Sequence, residues 1–447
     1  MITADLIEKY NVAGPRYTSY PTVPHWKPEK FTLYDWKSSI RQRTTDSKGI
    51  SLYIHLPFCE SLCTFCACHK RITKNHALER PYINSVLNEW QMYANILPAD
   101  AEIEEIHLGG GSPSFFDDEN LQYLIDGIMR YFPVAKDHEF SWEGNPVNTT
   151  YAQLKTLYDV GSRRVSFGVQ DYDINVQRAI HREQSFETVE TATQAARSIG
   201  YTSVSHDLVF GLPFQTFDSV KSTIEKTLKL APDRLAFYSY AHVPWLKGNG
   251  QRGYDEANLP TGHEKHSFYE IGKKMLQQAG YSELGMDHFA LPEDTLFKVA
   301  EEGNMRRNFM GYTTTQNNTL IGLGASAISD AGSMYAQNVK NVEEYQMLIN
   351  GGNLPILKGH KSTEKELFVR QIIADIMCNG EAEWQNGKIS EYTKNQLEEL
   401  ELDGLIKLGE NSLEVTELGH SYLRNICMYF DECLIGNKSE NMFSKTV

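Results

Sequence analysis

Six short runs rich in β-branched and aromatic residues, each followed by a segment with helical periodicity, constrain the fold of this chain more than any other feature. The predicted strands are 51–56, 103–108, 139–143, 164–169, 204–210 and 234–240. The predicted helices are 82–96, 118–131, 152–160, 186–199, 216–230 and 264–279. Strands and helices that alternate at this spacing predict βαβ crossovers and a parallel sheet. Six units are too few for a closed eight-stranded barrel, and the pattern alone leaves an open barrel and a doubly wound sheet as alternatives.

The composition is that of a globular protein. Hydrophobic residues make up 41% of the 447 residues and charged residues 23%, enough for one large domain and a smaller one. No run of about 18 apolar residues occurs, so no membrane span is predicted. The formal net charge of -15 argues against a nucleic-acid partner, which would need clustered Lys and Arg. The first residues lack the basic and apolar regions of a signal peptide, so we expect a cytoplasmic protein.

Three cysteines lie close together on one predicted loop after the first strand. Cys59, Cys63 and Cys66 have the spacing C-x3-C-x2-C, and thiolates are the usual ligands of iron–sulfur clusters. Each can bind one iron of a 4Fe-4S cluster, which leaves the fourth iron open for a small molecule, as in catalytic metal sites that keep an open position. Cys68 is a neighbour of this set without a firm role.

Two other interpretations of the cysteines are weaker. A structural zinc site usually needs a second pair of Cys or His ligands nearby, and none follows. A disulfide framework does not suit seven cysteines in 447 residues, a sparse and odd number. Cys378, Cys427 and Cys433 lie in apolar segments far downstream, and we expect them to be small buried hydrophobic residues.

Polar residues or glycines follow every predicted strand. The strand ends carry, in order, the cysteine loop, Gly-Gly-Gly-Ser-Pro at 109–113, Glu143, Gln170 with Asp171, Asp207, and His242. The carboxyl ends of strands in a βα-barrel meet at one mouth, where catalytic groups lie. Individually, Glu143 and Asp207 could be helix caps or ion pairs, the glycines a plain turn and His242 a core histidine. The combination favours a barrel-like cup with a ligand site at its mouth.

A resemblance narrows this prediction. The cysteine spacing with Phe65 just before the third cysteine, followed by the Gly-Gly-Gly strand end, resembles the radical S-adenosylmethionine (SAM) superfamily. Further motifs closely resemble the oxygen-independent coproporphyrinogen III oxidase family: Gly-Pro-Arg-Tyr-Thr-Ser-Tyr-Pro-Thr at 14–22, Gly-Val-Gln-Asp at 168–171, His-Arg-Glu-Gln at 181–184, Arg-Asn-Phe-Met-Gly-Tyr-Thr-Thr at 307–314, and Cys68. The match runs over residues 10–434, effectively the whole chain.

The resemblance implies an α/β fold, a partial (β/α)6 TIM-like barrel of the radical SAM type with an N-terminal arm and a mainly helical C-terminal domain. The implied boundaries are 1–48 for the arm, 49–335 for the barrel and 336–447 for a winged-helix-like domain. That last segment also reads as a helix at 396–406 followed by a short β segment at 413–419. It is acidic and lacks a basic recognition face, so we expect it to pack against the barrel or cover it rather than to bind DNA.

The resemblance also implies an enzyme, an oxidoreductase of haem biosynthesis. A 4Fe-4S cluster on the three cysteines would cleave SAM to a 5′-deoxyadenosyl radical. Two propionates of coproporphyrinogen III would then lose carbon dioxide in turn and become vinyl groups, giving protoporphyrinogen IX. The implied partners are this substrate and an electron donor and acceptor that the sequence does not identify. We expect a monomer that binds no nucleic acid.

The family's ligand contacts can be carried over residue by residue. Tyr53, Gly110 and Glu143 match positions that hold the cluster-bound SAM. Positions around a second SAM site match Phe65, Gly111, Ser112, Gln170, Arg182, Asp207, Ala241 and Ile328. In the arm, Arg16 and Tyr17 are candidates for contacts with the substrate's propionates.

Two positions depart from the family pattern. Ala67 stands where Gly is common, which keeps the loop small, and Met310 stands where Gln is common, which puts in doubt a contact near the second SAM or substrate pocket. Met310 leaves open a haem-degrading radical SAM methyltransferase. A haem-binding, chaperone-like relative would lack the motifs at 14–22 and 307–314, and a purely structural iron–sulfur protein would leave the strand ends unexplained.

Overall fold

The computed structural model describes residues 4–245, 250–316, 319–385, 387–434 and 442–446. Six strands form the centre of the fold: β1 (Gly49–Leu56), β2 (Glu102–Gly110), β3 (Val134–Gly144), β4 (Arg164–Gln170), β5 (Ser203–Phe210) and β6 (Arg234–Ser239). Each is parallel to the next, and they lie side by side in chain order. Every predicted strand overlaps one of these six.

Helices connect the parallel strands. In chain order they are Glu79–Ala94, Asp118–Met129, Tyr151–Asp159, Ile174–Ala179, Phe186–Ile199, Phe217–Leu230 and, after β6, Gly262–Gln278. A doubly wound sheet needs a point where the strand order reverses, and this series has none. Crossovers of one hand therefore place the helices on one face and leave the other face as a concave lumen. The sequence had left two architectures open, and the structure has the open barrel.

The sheet continues beyond both edges of the six-stranded series. Thr319–Leu323 pairs with β1 in parallel, and Ile328–Asp330, Met334–Asn338 and Ile356–Lys361 follow as antiparallel strands. At the other edge, His288–Ala290 pairs with β6 and Ser282–Leu284 lies outside it. The result is one open sheet of 12 strands among the described residues.

The strands separate an apolar outer face from a polar lumen. Along β1, Ile50, Leu52 and Ile54 are fully buried in the main hydrophobic core under the helices. The alternate residues, such as Tyr53 and His55, point the opposite way because successive side chains of a strand lie on opposite faces. The lumen therefore holds the side chains with chemical function.

The chain ends pack together beside the barrel. The N-terminal segment has helices Ala4–Tyr10 and Leu33–Ser47, and the C-terminal segment has helices Val342–Asn350, Glu364–Asn379, Glu391–Leu402 and Leu423–Met428. The strands Glu381–Glu383, Ile406–Leu408 and Ser412–Val415 form a small antiparallel sheet next to the helix Glu391–Leu402. Tyr10, Tyr17 and Tyr20 are buried in the core of the C-terminal segment. The predicted domain boundaries at residues 48 and 335 stay a prediction. Across the parts of the chain that the structure describes, no helix is both long and apolar enough to cross a membrane.

Candidate active site

The cysteine loop begins directly after β1 and is fixed at both ends. A two-residue strand, Phe58–Cys59, pairs with Arg71–Ile72 and closes the loop. Inside it, the backbone N–H of Thr64 donates to the carbonyl of Ile180 at 2.9 Å, and the Thr64 hydroxyl donates to the carbonyl of Ala179 at 2.8 Å. These two hydrogen bonds attach the loop to the end of the helix Ile174–Ala179, which follows β4.

Positive groups surround the thiols of this loop. Arg182 Nη1 lies 3.9 Å from Cys63 Sγ, and Lys70 Nζ donates to the carbonyls of Cys66 and Cys68 at 2.9 and 3.3 Å. Burial raises the pKa of Cys59 to about 12. The adjacent Cys68 thiol lowers the pKa of Cys66 to about 6. Cationic neighbours favour the thiolate form, which is the form that binds iron.

The loop suits a cluster rather than a single ion. Cys59, Cys63 and Cys66 are half-buried free thiols. Within the described ranges, no three His, Cys, Asp or Glu side chains are placed to share one metal ion. A 4Fe-4S cluster does not need such convergence, because each cysteine binds a different iron. The chemistry of these donors therefore fits the predicted cluster.

Next to the loop, Glu143 at the end of β3 is held by two groups of the neighbouring strand β2. His107 Nε2 lies 3.3 Å from Glu143 Oε1, and the N–H of Gly110 donates to Oε2 at 3.2 Å. Burial opposes ionisation, but the hydrogen bonds from His107 and Gly110 still lower the pKa of Glu143. The Tyr53 ring stacks on His107 with centroids 6.0 Å apart. The structure thus places Tyr53 and Gly110 near one ionised carboxylate, that of Glu143.

The Gly-Gly-Gly strand end permits close approach at this point. A Cβ at Gly109 would lie 3.0 Å from Glu143 Oε1, and one at Gly111 would lie 2.5 Å from the carbonyl of Pro57. Gly110 has a φ of +115°, in the region that favours glycine. The glycines therefore do more than turn the chain, since larger residues would displace either Glu143 or the start of the cysteine loop.

Asp207 on β5 is a second carboxylate in the same lumen, with a different ionisation. Its Oδ1 accepts a hydrogen bond from the Ser166 hydroxyl at 2.9 Å. Burial and the negative charge of Glu143 raise the pKa of Asp207 to about 7. One acid is thus ionised at neutral pH and its neighbour is near its midpoint, a difference typical of functional sites.

Arg182 and Gln170 meet at the end of β4. Gln170 has a φ of +67°, and a Cβ at Gly168 would lie 2.6 Å from its amide nitrogen and 3.5 Å from Arg182 Nη2. Arg182 donates to the carbonyl of Gly168 at 3.1 Å and to Gln184 Oε1 at 3.2 Å. The motifs at 168–171 and 181–184 therefore form one unit that points a guanidinium at Cys63.

Phe65 and Ala241 are joined by a residue that the sequence did not single out. The buried amide of Gln251 donates to the carbonyl of Phe65 at 2.9 Å and to the carbonyl of Ala241 at 3.0 Å, while its oxygen accepts from Val243 N–H at 2.6 Å. This contact links the cysteine loop to the chain after β6. No local pattern marks Gln251, because its role depends on contacts over 186 residues of sequence.

The remaining predicted positions lie at the edges of the mouth. The N–H of Ser112 donates to the carbonyl of Phe58 at 3.0 Å, beside the cysteine loop. Ile328 starts the strand after Thr319–Leu323, and its backbone lies against Gly322, the register partner of Tyr53. The structure gives no side-chain contact between Ile328 and the other predicted ligand residues.

The arm residues are already bonded within the chain. Arg16 Nη1 donates to Asp287 Oδ2 at 3.2 Å and a second nitrogen donates to the carbonyl of Ser239. Tyr17 is buried and donates to Asp431 at 3.0 Å. Arg16 therefore lies at the end of β6, whereas the Tyr17 hydroxyl is engaged by the C-terminal segment. Their predicted contact with substrate stays a prediction.

The threonines of the motif at 307–314 lie toward the end of the lumen opposite the mouth, which we call the floor. Thr313 and Thr314 donate to Glu105 at 2.8 Å and to Glu139 at 2.7 Å. Glu105 lies in the first half of β2 and Glu139 at the middle of β3. Met310 lies in the turn of the hairpin that carries the motif, with its N–H on Asn308 Oδ1 at 2.8 Å. The threonines thus close the floor of the lumen, a role that sequence reasoning missed.

Comparisons with known proteins bear on this geometry. The model of the Radical SAM superfamily matches residues 53–227, which begin in β1 and end in the helix after β5. An oxygen-independent coproporphyrinogen III oxidase of Helicobacter pylori (strain ATCC 700392 / 26695) is 37% identical over 460 residues, covering 100% of this chain and 99% of that protein. One from Pseudomonas aeruginosa is 35% identical over 442 residues, covering 96% of each. The solved structure of coproporphyrinogen III oxidase from Escherichia coli, a radical SAM enzyme, has a TM-score of 0.87 at 34% identity and covers 94% of this chain and 98% of that chain.

Proposed function

This chain belongs to the oxygen-independent coproporphyrinogen III oxidase family of radical SAM proteins, and from that premise we propose how its mouth performs the family's reaction. The activity is the oxidative decarboxylation of two propionate side chains of coproporphyrinogen III to vinyl groups, which gives protoporphyrinogen IX in haem biosynthesis. The observation that carries the assignment to this mouth is the convergence of three free thiols, an ionised Glu143 and the cationic Arg182 on one strand-end surface.

The cofactors are a 4Fe-4S cluster and SAM, and their holders follow from the contacts above. Cys59, Cys63 and Cys66 would bind the cluster. When bound, the cluster and SAM supply a 5′-deoxyadenosyl radical that removes a hydrogen atom from the β-carbon of a propionate, after which carbon dioxide and one electron leave. The protein's task is to position these groups and to keep competing water away.

Glu143 suits the amino group of the cluster-bound SAM. Its carboxylate stays ionised because His107 and Gly110 stabilise the charge, and an ionised carboxylate beside a cation forms the stronger class of hydrogen bond. Tyr53 stacks beside it and shapes the wall of the pocket. Gly110, with no side chain, lets the ligand approach the backbone.

A second SAM site is proposed around the residues on the far side of the cysteine loop. Arg182 is held through Nε and Nη2 by Gln184 and Gly168, and its Nη1 presents a charged donor that suits a carboxylate. Asp207 is suited to ribose hydroxyls or an amino group in its ionised form. The remaining wall would come from Phe65, Gly111, Ser112, Gln170, Ala241 and Ile328. Gln251 holds two of these wall positions in place through their carbonyls.

We further propose that the protein works in the cytoplasm as a monomer, with an electron donor that reduces the cluster and an acceptor that takes the electron released at each decarboxylation. An acceptor is required by the balance of the reaction, because each propionate loses one hydrogen atom, one carbon dioxide and one electron to become a vinyl group. The arm at 1–48 and the segment at 336–447 are proposed to complete the barrel rather than to bind nucleic acid.

The test is a product assay under anaerobic conditions. The reconstituted protein is incubated with SAM, a reductant and coproporphyrinogen III, and the tetrapyrrole is followed by mass spectrometry. We expect two propionates to be replaced by vinyl groups. A methylated tetrapyrrole, or tight binding of haem without any vinyl product, would instead support the methyltransferase or the chaperone-like alternative.

A further inference from the structure

Three arginines surround a single acid where the N-terminal arm meets β6. We refer to Arg16, Arg307 and Arg424 as the arginine cluster and to Asp287 as its acid. Asp287 accepts a hydrogen bond from Arg16 at 3.2 Å. Arg424 shares a small cavity wall with Asp287, and the positive charges of all three arginines act on this acid. Glu283, a carboxylate that also acts on Asp287, is bound to Lys273 at 2.6 Å.

Positive charge exceeds negative charge in this buried region. Burial raises the pKa of Asp287 despite the three arginines, and burial together with Arg424 and Arg16 lowers the pKa of the adjacent Lys265 to about 7. Arg424 donates to the carbonyls of Pro15 and Lys445 rather than to a carboxylate. Buried charge without a partner is costly, so the region is suited to an anion supplied from outside.

Arg307 is the member of the cluster with unused donors. Its Nε and Nη1 are buried and make no hydrogen bond, and its Nη2 donates to the carbonyl of Arg16 at 3.4 Å. The guanidinium lies 4.6 Å from the centre of the Tyr312 ring. Tyr312 is itself fixed, since its hydroxyl donates to the carbonyl of Met377 at 3.0 Å and accepts from Met286 N–H at 2.7 Å. Two donors are therefore held ready in a fixed orientation.

Tyr238 on β6 links the arginine cluster electrostatically to the proposed ligand residue Asp207. It is half-buried, and the charges of Asp207, Arg307, Asp287 and Arg16 all act on its hydroxyl. Arg307 itself lines a cavity of about 890 Å³, together with Met305, Thr313 and Cys378. A water needs roughly 10–15 Å³ by this measure, so this cavity has room for a carboxylate group.

We propose that Arg307, supported by Arg16, binds a propionate carboxylate of the tetrapyrrole substrate. The inference rests on the proposed function for its ligand and adds a residue that sets specificity for carboxylated substrates. The fixed guanidinium would donate an unused N–H, from Nε or Nη1, to a carboxylate oxygen in a charge-assisted hydrogen bond. One bound carboxylate would also balance the excess positive charge.

The test compares an acid and a neutral ligand in the anaerobically reconstituted full-length protein. Fluorescence titration measures binding of coproporphyrin III and of its tetraamide, in which uncharged amides replace the four carboxylates. We expect the wild-type protein to prefer the acid, and Arg307→Gln to reduce that preference about 10- to 100-fold. Arg307→Lys should restore part of it. The matched control is Arg163→Gln, which removes a guanidinium stacked on a tyrosine, 4.1 Å from the centre of the Tyr158 ring, and should leave the preference within about 2-fold.

Three outcomes would overturn the proposal. They are equal wild-type binding of acid and amide, an unchanged preference in Arg307→Gln, and an equal loss for both ligands, which would indicate a structural role only. Circular dichroism melts of each variant confirm the fold. Because binding is read without turnover, a missing vinyl product in the wild-type protein would defeat the proposed function while an Arg307-dependent preference would still support the anion site.

Discussion

The floor and the mouth of the lumen both contain buried charged residues, but they differ in how completely these charges are paired. On the floor, Arg164 pairs with Glu139 at 2.5 Å and Arg234 pairs with Asp294 at 2.6 Å, both largely buried. At the mouth, Asp207 has one hydroxyl partner, and in the arginine cluster Arg307 has two donors without a partner. The charges on the floor are therefore paired within the chain, whereas those of Asp207 and Arg307 are not paired with an opposite charge in this way. A buried charge alone therefore does not indicate a functional site in this protein. A buried charged group without a complete set of partners is the more informative feature.

The largest effect should follow from removal of a cluster ligand. Cys63→Ser is expected to lose bound iron and at least about 100-fold of SAM cleavage, since even residues that only support metal ligands cost 10–100-fold. Iron content, visible absorbance and 5′-deoxyadenosine formation measure this directly. Cys68→Ser is the matched control, and we expect it to retain iron. Full activity in Cys63→Ser would refute the ligand assignment.

The next largest effect should follow from the loss of a buried ion pair on the floor of the lumen. Glu139→Gln leaves the buried Arg164 without its carboxylate partner, and we expect a loss of about 3–5 kcal/mol in the free energy of unfolding. SAM affinity of the folded protein should not change. Asp159→Asn removes an exposed pair with Lys155 and should cost less than about 1 kcal/mol. A loss of SAM binding in folded Glu139→Gln would show that the floor is not merely structural.

A smaller effect is expected at the ionised acid of the mouth. Glu143→Gln keeps a hydrogen-bond acceptor for Gly110 but removes the charge, and we expect about 10- to 100-fold weaker SAM binding from the loss of a charged hydrogen bond. The melting temperature should stay near that of the wild-type protein. Calorimetric titration with SAM on the reconstituted protein measures the change, and unaltered affinity would exclude Glu143 from the SAM site.

The smallest effect is a pH-dependent change in stability, whose direction follows from the raised pKa of Asp207. The pKa of Asp207 is raised from 3.8 to about 7 in the folded protein, so its contribution to stability is present below pH 4 and is lost as the pH rises through 7. Asp207→Asn removes that loss and should stabilise the protein by about 1–3 kcal/mol at pH 8, with little change near pH 4. Denaturant unfolding at both pH values checks this. Destabilisation at pH 8 would contradict the assignment of an uncompensated acid.

The sequence predicted the repetitive parts of the fold and not the parts built from distant contacts. The helix Phe186–Ile199 was predicted with its observed limits, because its periodicity and the glycine after it are local signals. Strands of three residues, such as Ile328–Asp330 and Arg306–Asn308, were missed because their pairing depends on the tertiary fold. A strong periodicity thus sets the barrel, whereas its edges and hairpin are set by packing.

The site divides in the same way. The cysteine spacing and the strand-end acids could be seen in the sequence. The structure bonds Gly110 to Glu143 and stacks Tyr53 on His107, which also contacts Glu143. His107 and Gln251 could not be foreseen, because a hydrogen bond between strands depends on register and leaves no local pattern. Arg307 was visible only as the first residue of a motif. Its unused donors are a property of its surroundings.

The most direct test of the central claim, that this mouth positions a propionate for hydrogen abstraction, is an isotope measurement. Coproporphyrinogen III deuterated at the β-carbons of its propionates is incubated with the reduced, reconstituted protein and SAM, and the 5′-deoxyadenosine formed is analysed by mass spectrometry. The account predicts deuterium in 5′-deoxyadenosine together with vinyl product. Vinyl product with unlabelled 5′-deoxyadenosine, or labelled methyl transfer without decarboxylation, would contradict it.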